Sequence, residues 1–129
     1  MKKNYSDGLE MRRRVMGPDF VEQAFSQATD FTTPLQDFIT EHAWGAVWSR
    51  PGIDLKTRSL ITLAMLTALG RHHELAGHLR GALRNGVTPL EIQELLLHSA
   101  LYCGIPLAAE AFRCADKIIA QHQAESRQS

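Results

Sequence analysis

Asp54-Leu55-Lys56-Thr57-Arg58-Ser59-Leu60-Ile61-Thr62-Leu63-Ala64-Met65-Leu66-Thr67-Ala68-Leu69-Gly70 decides the fold class. Asp54 is a helix-start residue and Gly70 a helix-stop residue, and the segment between them is too long for an ordinary strand. Its apolar side chains, Leu60, Ile61, Leu63, Ala64, Met65, Leu66, Ala68 and Leu69, point in nearly every direction. A helix that is apolar all round must be covered on all sides. One chain of 129 residues has little material for that. The segment therefore predicts an all-α protein that associates with copies of itself. It is well short of the roughly 20 apolar residues of a membrane span.

Working outward, capping signals divide the rest of the chain. Asp7-Gly8-Leu9-Glu10, Thr33-Pro34-Leu35-Gln36 and Thr88-Pro89-Leu90-Glu91 each read as a capping box. They predict helices from Asp7, from Thr33 to Trp48, and from Thr88 to about Gly104. Pro18 opens a short helix to about Gln27, and Pro106 opens the last one, to about Ala124. Another helix covers Arg71–Asn85 and stops at Gly86. The Ala-rich last helix (Ala108, Ala109, Ala111, Ala115, Ala120) allows close helix contact.

Composition agrees with this division. Leu and Ala together number 31 against 11 for Val and Ile, a helix-forming balance. Length predicts a single domain over residues 1–129, with 1–6 and 125–129 frayed. Fourteen Lys+Arg against 14 Asp+Glu give zero formal charge, which argues against a nucleic-acid partner. No apolar run follows Met1-Lys2-Lys3-Asn4, so the expectation is a cytoplasmic protein with no signal peptide and no membrane partner. Cys103 and Cys114 lack CxxC spacing and read as two reduced, buried thiols.

The chemistry-bearing stretch is Arg71-His72-His73-Glu74-Leu75-Ala76-Gly77-His78. Arg71, Glu74 and His78 fall on one helical face beside the apolar Leu75, Leu79, Ala82 and Leu83. Glu74, four residues before His78, is placed to orient the ring and raise its pKa. A Glu–His pair at this spacing is equally an ordinary solvated helix pair, worth a few tenths of a kcal/mol. His72 and His73 read as exposed helix-start residues. His73 and His78 are five apart and cannot share a metal as the i, i+4 histidines of HExxH do, so no metal site is expected. Arg12-Arg13-Arg14 reads as a solvated face. Trp44 and Trp48 read as apolar anchors, Arg50 and Arg58 as possible carboxylate ligands, and His98 as the edge of an apolar face.

Several segments in order resemble the carboxymuconolactone decarboxylase family. They are Trp44-Gly45-Ala46-Val47-Trp48-Ser49-Arg50-Pro51-Gly52, Lys56-Thr57-Arg58-Ser59-Leu60, Ala68-Leu69-Gly70-Arg71, Glu74-Leu75, His78, Ala82, Asn85-Gly86, Glu91-Ile92 and Leu97-His98-Ser99-Ala100-Leu101-Tyr102-Cys103-Gly104-Ile105-Pro106. Together they span roughly residues 8–122. The resemblance implies an AhpD-like all-α domain of six or seven helices, assembled as a homohexamer. The AhpD peroxidases of the wider superfamily carry CxxCxxxH; here the cysteine positions fall on Arg71 and Glu74, and a relay glutamate falls on Ser59. A thiol–disulfide relay is excluded at this site, which leaves the decarboxylase branch.

That branch implies loss of CO₂ from 4-carboxymuconolactone, a small dicarboxylate lactone, giving β-ketoadipate enol-lactone in protocatechuate catabolism. The substrate is its own electron sink, so no cofactor is implied. Carried onto this chain, His78 is the proton donor and Glu74 its tuning partner. Arg58, Arg71 and Arg50 meet carboxylates, and Trp44, Trp48 and His98 shape the pocket. A thiol-free relative acting on another lactone or a peroxide, and a non-catalytic oligomer that binds a small acid, are the other readings.

Overall fold

Helix follows helix because glycine closes one and proline or a polar cap opens the next. Gly17 precedes Pro18, Thr88 precedes Pro89, and Gly104 stands two residues before Pro106. The computed structural model describes residues 3–128. Among the described residues it contains seven α-helices, one continued by a π-helical stretch, and no strand. The all-α class is as the sequence implies. Two compact units are distinguished, one ending at Leu55 and the other beginning at Lys56.

In the first unit α1 is Lys3–Met16, α2 Pro18–Ser26 and α3 Thr33–Phe38, which runs on as a π-helix over Ile39–Trp48. Val15, Met16, Val21, Trp44 and Trp48 form its core. The expected single α-helix from Thr33 to Trp48 is thus only six residues of α-helix. Thr40 supplies a physical reason. Its hydroxyl donates to the Gln36 carbonyl at 2.7 Å, the acceptor an α-helical N–H would use, and such back-bonding loosens the ladder. The expected box at Thr33 is also displaced: Thr32 is the N-cap, without a side-chain cap bond, and pairs with Thr29 instead.

Helix α1 begins at Lys3, so Asp7 lies inside it and caps nothing. Gly8 is not a helix breaker here but a point of contact: a Cβ built on it would stand 1.9 Å from the Thr40 carbonyl oxygen. A Cβ on Gly45 would stand 2.0 Å from the Asn4 carbonyl oxygen. The two backbones cross at paired glycines. The Arg triplet is not a uniformly solvated face either. Arg13 and Arg14 are exposed, but Arg12 is buried, donating to Gln36 Oε1 at 2.9 Å and Thr40 Oγ1 at 3.3 Å, above the Phe25 ring. Burial lowers its pKa.

In the second unit α4 is Leu55–Leu69, its first residue belonging to the first unit, α5 is His72–Arg84, α6 Pro89–Cys103 and α7 Ile105–Gln128. Leu63, Leu75, Leu79, Ile92, Leu96, Ala111, Ala115 and Ile118 are central to its core. Full burial of one such Leu or Ile contributes about 1.5–3 kcal/mol. Ala108, Ala111 and Ala115 are buried along one side of α7, as the close-contact expectation requires. The capping box at Thr88 forms as read: Thr88 Oγ1 accepts from the Glu91 N–H at 3.1 Å, and Glu91 accepts from the Thr88 N–H at 2.9 Å. Of the ends expected to fray, residues 3–6 and 125–128 are helical, and 1, 2 and 129 lie outside the described residues.

Helix α4 has two faces. Ser59, Leu63 and Thr67 point inward and are buried. Ile61, Met65 and Leu69 are 41%, 60% and 69% exposed, a row at i, i+4, i+8 that this chain leaves uncovered. No helix among the described residues is long and apolar enough to cross a membrane.

Candidate active site

The site residues depend on one turn. Gly70, at φ +68°, follows α4 in a conformation that side chains rarely adopt. Its N–H bonds to the Thr67 carbonyl at 3.2 Å and the Arg71 N–H to Leu66 at 3.0 Å, the paired closure of a Schellman motif. Arg71 thereby becomes the N-cap of α5, and its carbonyl accepts from Leu75 N–H at 2.9 Å.

From this start, helical spacing carries Arg71, Glu74 and His78 along one side of α5. Arg71 and Glu74 are exposed. His78 lies half-buried next to the fully buried Leu79 and one turn on from Leu75. Burial pushes its pKa below the ordinary 6.5, and the Glu74 carboxylate opposes that shift without cancelling it. Glu74 raises the His78 pKa as the sequence implies, but the net shift is downward. The pair is as expected, but burial outweighs it because the ring sits against the core of its unit.

Arg58 is half-buried on α4, and its carbonyl accepts from Thr62 Oγ1 at 2.9 Å. Helices α4 and α5 share the cluster containing Leu63, Leu75 and Leu79. They are also joined by a bond from Asn85 Nδ2 to Ser59 Oγ at 3.0 Å. His98, on α6, is exposed and lies against Tyr102, with ring centroids 5.0 Å apart. Trp44 and Trp48 belong to the first unit, stacked at 4.6 Å and buried in its core, and Arg50 is exposed just after them. The structure thus groups Arg71, Glu74 and His78 on one helix, with Arg58 on a helix of the same unit.

His72 and His73 are exposed, as read, although His72 Nε2 also meets Glu110 Oε2 at 2.6 Å. Among the described residues no three His, Cys, Asp or Glu side chains gather to hold a metal ion. Cys103 and Cys114 are free thiols, half-buried rather than buried. Burial raises the pKa of Cys114, the opposite of what an attacking thiolate needs.

Sequence reasoning missed the Asn85–Ser59 bond, the Lys56 Nζ–Glu91 Oε1 pair at 2.9 Å and the buried Arg12. A signal existed for the first: Asn85 stands before a helix-closing Gly86, where its amide is available to a neighbouring helix. The site as a whole offers a half-buried imidazole, a carboxylate beside it and two guanidinium groups. Groups of these kinds are the ones that anion binding and proton delivery call for.

The profile of the Carboxymuconolactone decarboxylase family matches residues 33–117, which include every candidate site residue. A nitrosuccinic acid decarboxylase of Metarhizium robertsii is 48% identical over 118 residues, covering 92% of this chain and 82% of that protein. A 4-carboxymuconolactone decarboxylase of Acinetobacter baylyi is 45% identical over 117 residues, covering 91% of this chain and 87% of that protein. With a family match over most of its length and decarboxylase relatives aligned nearly end to end, the chain belongs to the carboxymuconolactone decarboxylase family.

Proposed function

We propose that the protein decarboxylates 4-carboxymuconolactone to the enol-lactone and CO₂, with no cofactor. The observation that carries the reading is the half-buried His78 on α5 with the Glu74 carboxylate acting on it. The carbon–carboxylate bond at the γ-carbon breaks, and its electron pair moves through the ring double bond onto the lactone carbonyl. Arg58 and Arg71 hold the substrate carboxylates and balance the developing oxyanion. His78, protonated, then delivers its proton to the α-carbon. Burial keeps His78 neutral in the free enzyme more than an exposed histidine. A bound dianion favours the imidazolium, so the substrate helps to load its own acid.

Nitrosuccinic acid is the second reading, favoured by the similarity to the Metarhizium robertsii enzyme. It is also a dianion with its own sink: the pair left by CO₂ enters the nitro group as a nitronate, which is protonated at carbon. Both substrates ask the same of Arg58, Arg71 and His78. A side-by-side assay separates them. The expected result is a kcat/KM for the lactone at least about tenfold above that for 2-nitrosuccinate, a difference of about 1.4 kcal/mol. The reverse order would replace the proposed substrate. Arg58→Ala should raise KM for the preferred dianion about tenfold or more, as loss of a charge-assisted contact does. An unchanged KM and kcat would remove Arg58 from the site.

The reading includes a homo-oligomer, hexameric by the family resemblance and cytoplasmic. The exposed row Ile61, Met65 and Leu69 supports association, since an uncovered apolar row along a helix is costly in water. Sedimentation should give a multiple of the 14.4 kDa chain mass, lowered by Met65→Glu. A monomeric native protein would contradict it.

A further inference from the structure

The connector from α5 to α6 and the first turn of α6 each make a contact with the start of α4. At the start of the connector, Asn85 Nδ2 donates to Ser59 Oγ at 3.0 Å. On the first turn of α6, Glu91 pairs with Lys56 Nζ at 2.9 Å while also closing the capping box with Thr88. Lys56 and Ser59 are i, i+3 neighbours, so both contacts fall on one face of α4. Arg58 lies between them and points about 100° away from Ser59. These contacts hold the turn that carries Arg58.

The local chemistry leaves Asn85 available for this task. Helix α5 closes with backbone groups alone: Gly86 N–H bonds to Leu83 at 3.2 Å and Val87 N–H to Ala82 at 3.0 Å. Gly86 supplies the positive φ, +87°, that this closure needs. The Asn85 side chain therefore caps nothing. Ser59 is only 2% exposed, so losing its donor leaves a hydroxyl oxygen in the core without that partner. By contrast, the Lys56–Glu91 pair is solvent-accessible, where water and salt screen it. The Asn85–Ser59 bond is the stronger of the two contacts.

We propose that Asn85 is a positioning residue for substrate binding, acting through Ser59 to fix Arg58 on α4 relative to His78 on α5. It touches no substrate atom. The proposal rests on the reading of Arg58 as a carboxylate ligand. It ties Arg58 and His78, on separate helices, to a single part-buried hydrogen bond.

The experiment is steady-state kinetics on the full-length protein with 4-carboxymuconolactone, supported by circular dichroism of each variant. Asn85→Ala should raise KM about fivefold to tenfold, with kcat within about threefold of native, as loss of one part-buried hydrogen bond predicts. Ser59→Ala should do the same, and the double variant should be no worse than either single one. Asn85→Asp, whose carboxylate accepts from the Ser59 hydroxyl, should restore most of the KM. In an Arg58→Ala background, Asn85→Ala should add no further increase. If Asn85→Ala fails to fold, Ser59→Ala carries the test, with the same expected KM. A rise in KM that persists undiminished in the Arg58→Ala background overturns the proposal, as does an unchanged KM in folded Asn85→Ala. If Arg58→Ala raises KM and the Asn85 and Ser59 variants do not, the positioning role falls and the substrate reading stands. If Arg58→Ala itself has no effect, Arg58 leaves the site and the positioning role falls with it, while turnover of the lactone by the native protein still decides the substrate.

Discussion

His78→Gln should lower kcat by about 100- to 10,000-fold, the usual contribution of a positioned proton donor. Glutamine keeps a polar side chain of similar reach and has no titration in the working range. Helix α5 should be undisturbed, because Leu75, Leu79 and Ala82 do its packing. The pH profile adds a signature. With protonated His78 as the proposed proton donor and its pKa lowered by burial, kcat/KM should fall as pH rises through a midpoint below 6.5. Glu74→Gln removes the group that opposes the shift and should move that midpoint further down. The same group makes stability depend on pH. The folded state prefers neutral His78, so between its folded pKa and the ordinary 6.5 the unfolded chain binds more protons. Its contribution is fully present above 6.5 and is lost as pH falls through that window. His78→Gln should flatten this part of a plot of Tm against pH. Near-native turnover in a folded His78→Gln protein would assign the proton to another group.

Gly45→Ala should destabilise the first unit by about 3 kcal/mol or more, at the upper end of overpacking costs. A Gly→Ala change inside a helix normally stabilises by up to about 1 kcal/mol. Here the sign reverses. The new Cβ would lie 2.0 Å from the Asn4 carbonyl oxygen and 2.9 Å from its carbon. Both are backbone atoms, and no rotamer change relieves the contact. Gly8→Ala meets the Thr40 carbonyl oxygen in the same way and should behave alike. Denaturant unfolding followed by tryptophan fluorescence is the natural measurement, because Trp44 and Trp48 sit on the same π-helical stretch. A rise in the midpoint for either variant would mean that the two helices do not cross there.

The sequence made the all-α class legible through the Asp54–Gly70 segment and the Leu/Ala balance. The Thr88 box, the Gly70 stop and the Arg71–Glu74–His78 face were equally legible, because each depends on residues within one or two turns. What was not legible depends on contacts distant in the chain. Asp7 loses to an earlier helix start, where Gly8 is needed for the crossing with Thr40 and Gly45. Arg12 looks identical to Arg13 and Arg14 in sequence, and only the placement of Gln36 and Thr40 buries it. The π-helical winding of Ile39–Trp48 has no sequence period of its own. At the site, Glu74 was correctly read as acting on His78. The larger effect of burial required knowing how closely the ring approaches the core.

The central claim is that this chain decarboxylates a dianion whose carbanion is stabilised within the substrate and protonated by the protein. The most direct measurement uses purified, chelator-treated protein with 4-carboxymuconolactone in D₂O and no added cofactor. Loss of the lactone is followed by ultraviolet absorbance, released CO₂ is quantified, and the product is examined by NMR. The account predicts one CO₂ per lactone consumed and one deuterium at the α-carbon of the enol-lactone. Lactone left intact by the folded native protein, or CO₂ release only after a cofactor is added, would contradict it.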